Sequence, residues 1–381
     1  MAVKQRSDVK ALIAGAGIAG LATGIALRRA GFEVEIFERS LDLREIGAGL
    51  MIWPNGVRSL RALAVEVKML AIQRVHFCDW RGNTVIDLPV DEISKRYGSN
   101  VAFVHRADLQ AALADTFGRD GLRFGAEVIG YDEDGAGVRV TVRNGAHSAA
   151  GVLIGADGLR SAVRRQLLGD GDPVFLGSTI WRGIAPGDGI AFPPGHGYNW
   201  VGRGSEFLAF SLPEDRIYWA CVTKERRGEK PGSGGHKQDV LERFATWVQP
   251  IPELIAATAP EAILRNDMYD RPPAPRWSRG RVTLAGDAAH PMTPNSGQGA
   301  CQALEDAVAL GESLEQTSDV NAGFELYERR RLRRANRVVR MSRQGTRSVQ
   351  IDSPLLCFIR DGIGRLLPRR MLLRMLDATL A

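Results

Sequence analysis

Three short clusters set glycine beside an acid at the ends of apolar runs. They are Gly15-Ala16-Gly17-Ile18-Ala19-Gly20 with Glu38, Gly155-Ala156-Asp157-Gly158, and Gly286-Asp287-Ala288-Ala289-His290-Pro291. A residue without a Cβ lets a ligand chain run against backbone, and an ionised carboxylate accepts hydrogen bonds from sugar or polyol hydroxyls. In the first cluster each glycine has its own task. Gly15 makes a tight turn, Gly17 lets backbone approach a pyrophosphate, and Gly20 lets a helix lie close against a strand. The helix N-terminus then offers unpaired N–H groups and its positive dipole end to phosphates. Glu38 stands eighteen residues beyond Gly20, placed to hold ribose hydroxyls, with Arg39 over the adenine or near a phosphate. An acid at this point disfavours a 2′-phosphate, which separates NADP from NAD and FAD.

These residues need strand ends to hold them. Val9 to Ala14 suits a buried parallel strand, an apolar helix follows to Leu27, and Gly31 stops it. A second strand, Phe32 to Phe37, ends at Glu38 and completes a βαβ unit. Strand-like runs also precede Gly155 and Gly286, and α/β folds bind ligands at such strand tips. After His290, Ala303, Leu304, Ala307, Val308, Leu310 and Leu314 have helical spacing, so Gly297-Gln298-Gly299 enters a helix starting near Ala300. Asp157 and Asp287 are also candidate helix caps. His290 reads as a hydrogen-bonded structural histidine. Ala11 to Leu27 runs seventeen residues without a charge, but four glycines interrupt it, and strand, turn and helix explain it better than a membrane span.

The 381 residues are 44% hydrophobic, 25% charged and 7% aromatic, an ordinary globular composition. The net charge of +6 is local: residues 328–347 hold nine arginines and one glutamate, leaving the rest at −2. That stretch has no aromatic for base stacking, so nucleic acid is excluded as a partner and a solvated helix face is expected. Cys78, Cys221, Cys301 and Cys357 are far apart, which argues for a reducing compartment and against a metal site. The first ten residues lack a signal-peptide core, and the expected location is cytoplasmic. Between 172 and 280, short alternating runs (STIWRGIA, YNWVGRG, EFLAFSL, RIYWACV) read as antiparallel strands. In the last of them Tyr218, Ala220 and Val222 share one face, and Ile217, Trp219 and Cys221 the other.

With these residues in view, the sequence resembles the flavoprotein aromatic hydroxylases of the para-hydroxybenzoate hydroxylase type, the group A monooxygenases. It is most similar to the branch with salicylate hydroxylase, urate hydroxylase and zeaxanthin epoxidase. The likeness rests on GAGIAG…FER, GADGLRS and GDAAHPMTPNSGQG in order, with GAGLMIWPNG at 47–56 and HRADLQ at 105–110. It implies FAD as cofactor and NADH or NADPH as a transient electron donor. O2 would add at the flavin C4a, and the hydroperoxide would deliver one oxygen atom to an aromatic or polyene substrate, by hydroxylation or epoxidation. Gly15, Gly17, Gly20, Glu38 and Arg39 match the family's adenosine-diphosphate site, and Val128 a backbone contact to adenine. Arg106 matches an arginine beside pyrophosphate and flavin, and Gly49 lies in the matching GAGLMIWPNG stretch. Asp157, Gly286 and Asp287 match the second and third motifs, and Pro294, Gly297, Gln298, Gly299 and Ala300 the loop under the flavin ring. Tyr218 resembles a tyrosine that meets substrate in urate hydroxylase. Arg182 would pair with an anionic substrate or cap the flavin. Each also reads as an ordinary sheet residue. Where urate hydroxylase has a substrate-domain arginine this chain has Glu206, which counts against urate.

The resulting fold class is α/β: a Rossmann-like FAD domain of the para-hydroxybenzoate hydroxylase type, a β-sheet substrate domain and a C-terminal helical segment. The expected division gives 1–75, 100–171 and 279–320 to the FAD domain, 76–99 and 172–278 to the sheet domain, and 321–381 to the helices. The final segment mixes Leu, Met and Ile with Arg at helical spacing, read as packed helices or an interfacial amphipathic helix without stable membrane insertion. The oligomeric expectation is a monomer or homodimer. Two other activities stay open on the same residues: a flavin-dependent reductase or dehydrogenase, and an FAD-binding module without turnover.

Overall fold

The computed structural model describes residues 9–43 and 48–380; residues 1–8, where a leader was sought, and Gly47 of the GAGLMIWPNG stretch lie outside it. At its centre the strand Lys10–Ala14 pairs in parallel with Glu33–Phe37 on one side and Val152–Gly155 on the other. Val152–Gly155 pairs in turn with Val282–Leu284. The register aligns Ala14 with Phe37 and Gly155, and Gly155 with Leu284. All the glycine–acid clusters therefore leave one sheet edge at the same level. Lys10–Ala14, Val152–Gly155 and Val282–Leu284 are mostly apolar because both sheet faces are covered there, while Glu33–Phe37 alternates with two glutamates. Helix Ile18–Arg29 packs on one side, against helix Gly299–Glu315, which begins one residue before the expected start.

A second sheet of seven strands runs in the order Leu264–Asp270, Val174–Pro186, Arg216–Lys224, Glu206–Leu212, His196–Val201, Arg74–Asp79 and Thr84–Leu88. Neighbours are antiparallel except the pair His196–Val201 with Arg74–Asp79. Alternation divides its residues as expected. Ile217, Trp219 and Cys221 join Trp181, Trp200 and Phe207 in a core roofed by helices Gly235–Phe244 and Ile251–Ala257. Tyr218, Ala220 and Phe210 face the first sheet and belong to its core. Tyr218 comes so close that a Cβ on Gly49 would lie 2.7 Å from its ring.

The arginine-rich segment departs from the solvated face expected of it. Helix Val320–Val349 exposes Arg329, Arg330, Arg333, Arg337, Arg340 and Arg347 but turns Arg331 inward, where it is 5% exposed. Arg331 and Arg334 pair with Glu305, and Arg343 with Asp270. Charge counting along the sequence does not reveal these partners, because they arrive from distant elements. The last helices differ too. Pro354–Leu366 packs on the edge strand Thr84–Leu88 and buries Cys357, but leaves Leu355, Leu356, Phe358, Ile359, Ile363 and Leu366 exposed. Among the described residues no helix is long and apolar enough to cross a membrane.

Candidate active site

Gly15 has φ +98°, and its N–H donates to the Phe37 carbonyl at 2.7 Å. A side chain there would strike the Ala156 carbonyl at 2.6 Å, so the turn is wedged between two strand tips. A Cβ on Gly20 would lie 1.8 Å from the Gly15 carbonyl, which fixes the close approach of helix to strand. Gly17 is the opposite case: nothing lies within 4 Å of its would-be Cβ. It caps helix Ile18–Arg29 with no side-chain partner, leaving the first N–H groups facing open space. Glu38 accepts from the Ala16 N–H at 2.8 Å and the Ser40 N–H at 2.9 Å, so its carboxylate is tied to the turn it adjoins.

Two cavities open along these tips. One of about 850 Å³ is lined by Gly15, Gly17, Glu38, Arg39, Arg106, Val128 and Asp157. The other, of about 490 Å³, is lined by Gly17, Gly49, Arg106, Arg182, Tyr218, Asp287, Pro294, Gly297, Gly299 and Ala300. They share Gly17, Arg106, Ala156 and Gly158 and form one bent groove. Gly20, Gly286 and Gln298 line neither. Gly20 and Gly286 are packing glycines: at Gly286, φ +59°, a Cβ would meet that of Ala19 at 2.5 Å. Gln298 turns its side chain into the core, accepting from Asn55 Nδ2 at 3.0 Å and Gln302 Nε2 at 3.1 Å.

The charged groups are held individually. Asp157 Oδ2 accepts from Ala162 N at 2.7 Å and Val163 N at 3.3 Å, so it does cap helix Ala162–Leu168, while its buried Oδ1 has no partner. Burial raises its carboxyl against the pull of those donors. Asp287 is exposed to the cavity it lines, yet surrounding protein raises its carboxyl, opposed by His290 and Arg106. Arg106 begins helix Arg106–Phe117, and its guanidinium is lowered by desolvation and by nearby Arg182, with Asp287 acting oppositely. Tyr218 is buried, and desolvation pushes its hydroxyl far above the ordinary range despite Arg182. Arg182 donates to Asn266 Oδ1, and its Nε is buried without a partner. His290 is structural as expected: buried, and bonded through Nε2 to Asp306 Oδ2.

The sheet supplies the floor of the smaller cavity. Register sets Arg182, Ala220, Leu208, Asn199 and Phe77 in one cross-strand row, and Tyr218, Phe210, Gly197 and Val75 in the next. Two polar groups thus flank an apolar middle. Glu206, one row further, is buried and accepts from Asn199 Nδ2 at 2.8 Å and from Asn295 Nδ2 at 2.6 Å. Burial raises its carboxyl against those two amides. Trp53, Asn199, Asn295 and Phe77 line the cavity without having been singled out in the sequence. Alternation marks Asn199 and Phe77 as face residues, but only the fold says which face meets the groove. Arg164 was missed as well: it is 1% exposed and donates to the carbonyls of Ala288 and Ala289 at 3.1 and 2.9 Å, behind Asp287.

Comparison with known proteins agrees with this geometry. Residues 8–342 match the family described as FAD binding domain. The aurachin C monooxygenase/isomerase of Stigmatella aurantiaca is 37% identical over 95% of each chain. The FAD-dependent urate hydroxylase of Klebsiella pneumoniae is 33% identical over 88% of this chain and 89% of that one. The crystal structure of Klebsiella pneumoniae HpxO complexed with FAD and uric acid superimposes with a TM-score of 0.92 at 31% identity, covering 99% and 98% of the two chains. The match spans the glycine turn, both acid-bearing tips and the sheet floor together, and the chain belongs to the FAD-binding-domain family of group A flavoprotein monooxygenases.

Proposed function

We propose that the chain binds FAD along the bent groove and, with NADH or NADPH and O2, inserts one oxygen atom into an aromatic ring or carbon–carbon double bond. The observation that carries this is the junction of the two cavities at Gly17, Arg106, Ala156 and Gly158. It makes one elongated site, with N–H donors at one end and an apolar floor at the other. The residues fit a dinucleotide: a cradle at Gly17 that a side chain would occupy, and a buried carboxylate oxygen on Asp157 without a partner. Bound FAD supplies oxygen activation once the nicotinamide has reduced it.

The chain's own residues then have separate tasks. Gly15, Gly17, Glu38, Arg39 and Val128 hold the adenosine diphosphate. Arg106 and Asp287 straddle the passage toward the ring. Pro294, Gly297, Gly299 and Ala300 would form the bed for the ring, with Gly286 and Gln298 holding that bed in place and Gly20 holding the first helix against the glycine turn. The N-terminus of helix Gly299–Glu315, uncapped by any side chain, would favour negative charge on a ring held there. Tyr218 stays a neutral phenol and serves as a hydrogen-bond donor to substrate. Arg182, fixed by Asn266 and set in the adjoining cross-strand row, orients it beside Tyr218. Leu50, Met51, Phe77, Leu88, Leu208 and Phe210 keep water from the reacting carbon. An apolar floor with buried Glu206 beside it favours a substrate less polar and less anionic than urate.

We place the protein in the cytoplasm, as its four buried free thiols suit a reducing compartment, and as a monomer or homodimer. The test is purification as a yellow protein and a screen of NAD(P)H oxidation against phenols, indoles, quinolones and polyenes, with H2O2 measured alongside. Ligand-stimulated oxidation with labelled oxygen in the product supports the reading. Stimulated reduction without product oxygen points to a dehydrogenase, and flavin binding without any turnover points to a module.

A further inference from the structure

Eight exposed large apolar side chains lie between Leu355 and Met375, against four in the rest of the described chain. Their arrangement inverts the usual surface helix, whose apolar stripe faces the core. In helix Pro354–Leu366 the outward stripe runs Leu355, Ile359, Ile363 and Leu366, flanked by Phe358. The inward side is small or polar. Gly364 rests on Val85, and Arg360 pairs with Asp361 at 2.8 Å while reaching the Gly202 carbonyl at 3.3 Å. The helix is held to the protein by its polar side, which leaves the apolar side free.

Basic groups frame that stripe. Arg369, Arg370 and Arg374 are exposed on helix Arg369–Leu380, next to exposed Met371 and Met375. Among the described residues Arg370 and Arg374 have no ion-pair partner. A symmetric contact between two copies would set these arginines against themselves, because an isologous interface meets its own patch. A negatively charged surface complements them. An apolar stripe edged by arginines is the pattern of a helix lying in a lipid interface.

We propose that this face of Pro354–Leu366 and Arg369–Leu380 seats the protein on an anionic bilayer. Helix Pro354–Leu366 sits on the edge strand Thr84–Leu88, whose Leu88 lines the smaller cavity, so the seated face lies just outside the substrate floor.

Flotation of the full, flavin-loaded chain with phosphatidylcholine–phosphatidylglycerol vesicles, and with phosphatidylcholine alone, tests this without reference to turnover. The protein floats with the anionic vesicles, and less as salt is raised. Leu355→Ser/Phe358→Ser/Ile363→Ser lowers the bound fraction about tenfold, and Arg370→Glu/Arg374→Glu lowers it several-fold. Retained flavin absorbance shows that both variants are folded. Wild-type protein left in the bulk phase, or floating equally on neutral vesicles, overturns the proposal. So does a serine variant that still floats, or a wild-type dimer that the serine variant dissolves, which would assign the face to a second copy.

Discussion

Arg331 Nε donates to Asp306 Oδ1 at 2.8 Å inside the core, and the other oxygen of Asp306 takes the Gly286 N–H at 3.0 Å. His290 shares that second oxygen. A buried arginine on the long helix therefore sets, through one carboxylate, the backbone of the turn that presents Asp287.

Arg331→Met leaves Asp306 Oδ1 without its partner in the core. Breaking a buried pair on one side costs about 3–5 kcal/mol. Chemical denaturation should show a loss of this order, with flavin retention falling alongside.

The same carboxylate gives stability a pH dependence. Burial alone would raise Asp306, but His290 and Arg331 outweigh it and hold the group below the usual range. A depressed folded pKa means its contribution is complete above the unfolded value of about 3.9 and is lost as pH falls through the folded one. Asp306→Asn should therefore flatten the acid limb of a plot of stability against pH. An unchanged limb would assign acid sensitivity to other groups.

Gly17→Ala and Gly20→Ala differ by three positions and should fail differently. A Cβ at Gly20 meets backbone at 1.8 Å and should cost about 1–3 kcal/mol of stability or more. At Gly17 nothing is struck, so the melting temperature of apoprotein should hold while FAD affinity falls at least about tenfold, about 1.4 kcal/mol. Thermal melts and flavin titration separate the two.

Asp287→Ala should release FAD or slow its reduction severely, measured by flavin absorbance and stopped-flow reduction. Normal affinity and activity would overturn the placement of the ring beside this residue.

Tyr218→Phe removes one donor and leaves the ring packed on Gly49 intact. Loss of one hydrogen bond predicts a drop of about tenfold in kcat/KM, with FAD affinity unchanged. Because burial drives the hydroxyl far above its ordinary range, wild type and variant should share the same alkaline limb in their pH profiles.

The sequence displays the nucleotide end because each glycine there answers a local demand that survives in a short window. Gly15, Gly17 and Glu38 fall where βαβ spacing puts them, at the mouth of one groove, with Gly20 packed beneath the turn. The division of RIYWACV into two faces was also legible, since a strand has a fixed period of two. Arg331, Asp306 and Arg164 were not, because their partners lie far along the chain and their surroundings are set by packing. The exposed stripe on Pro354–Leu366 was ambiguous for the converse reason. Helical spacing shows that a stripe exists and says nothing about which way it turns.

The cross-strand rows of the second sheet carry one more consequence. Cavity-facing positions such as Asn199, Leu208 and Ala220 alternate with Trp200, Phe207 and Trp219, which bury into a separate core beneath. An exchange at the first set reshapes what the enzyme accepts without loosening the second. Evolution can retile the floor while the foundations stay untouched.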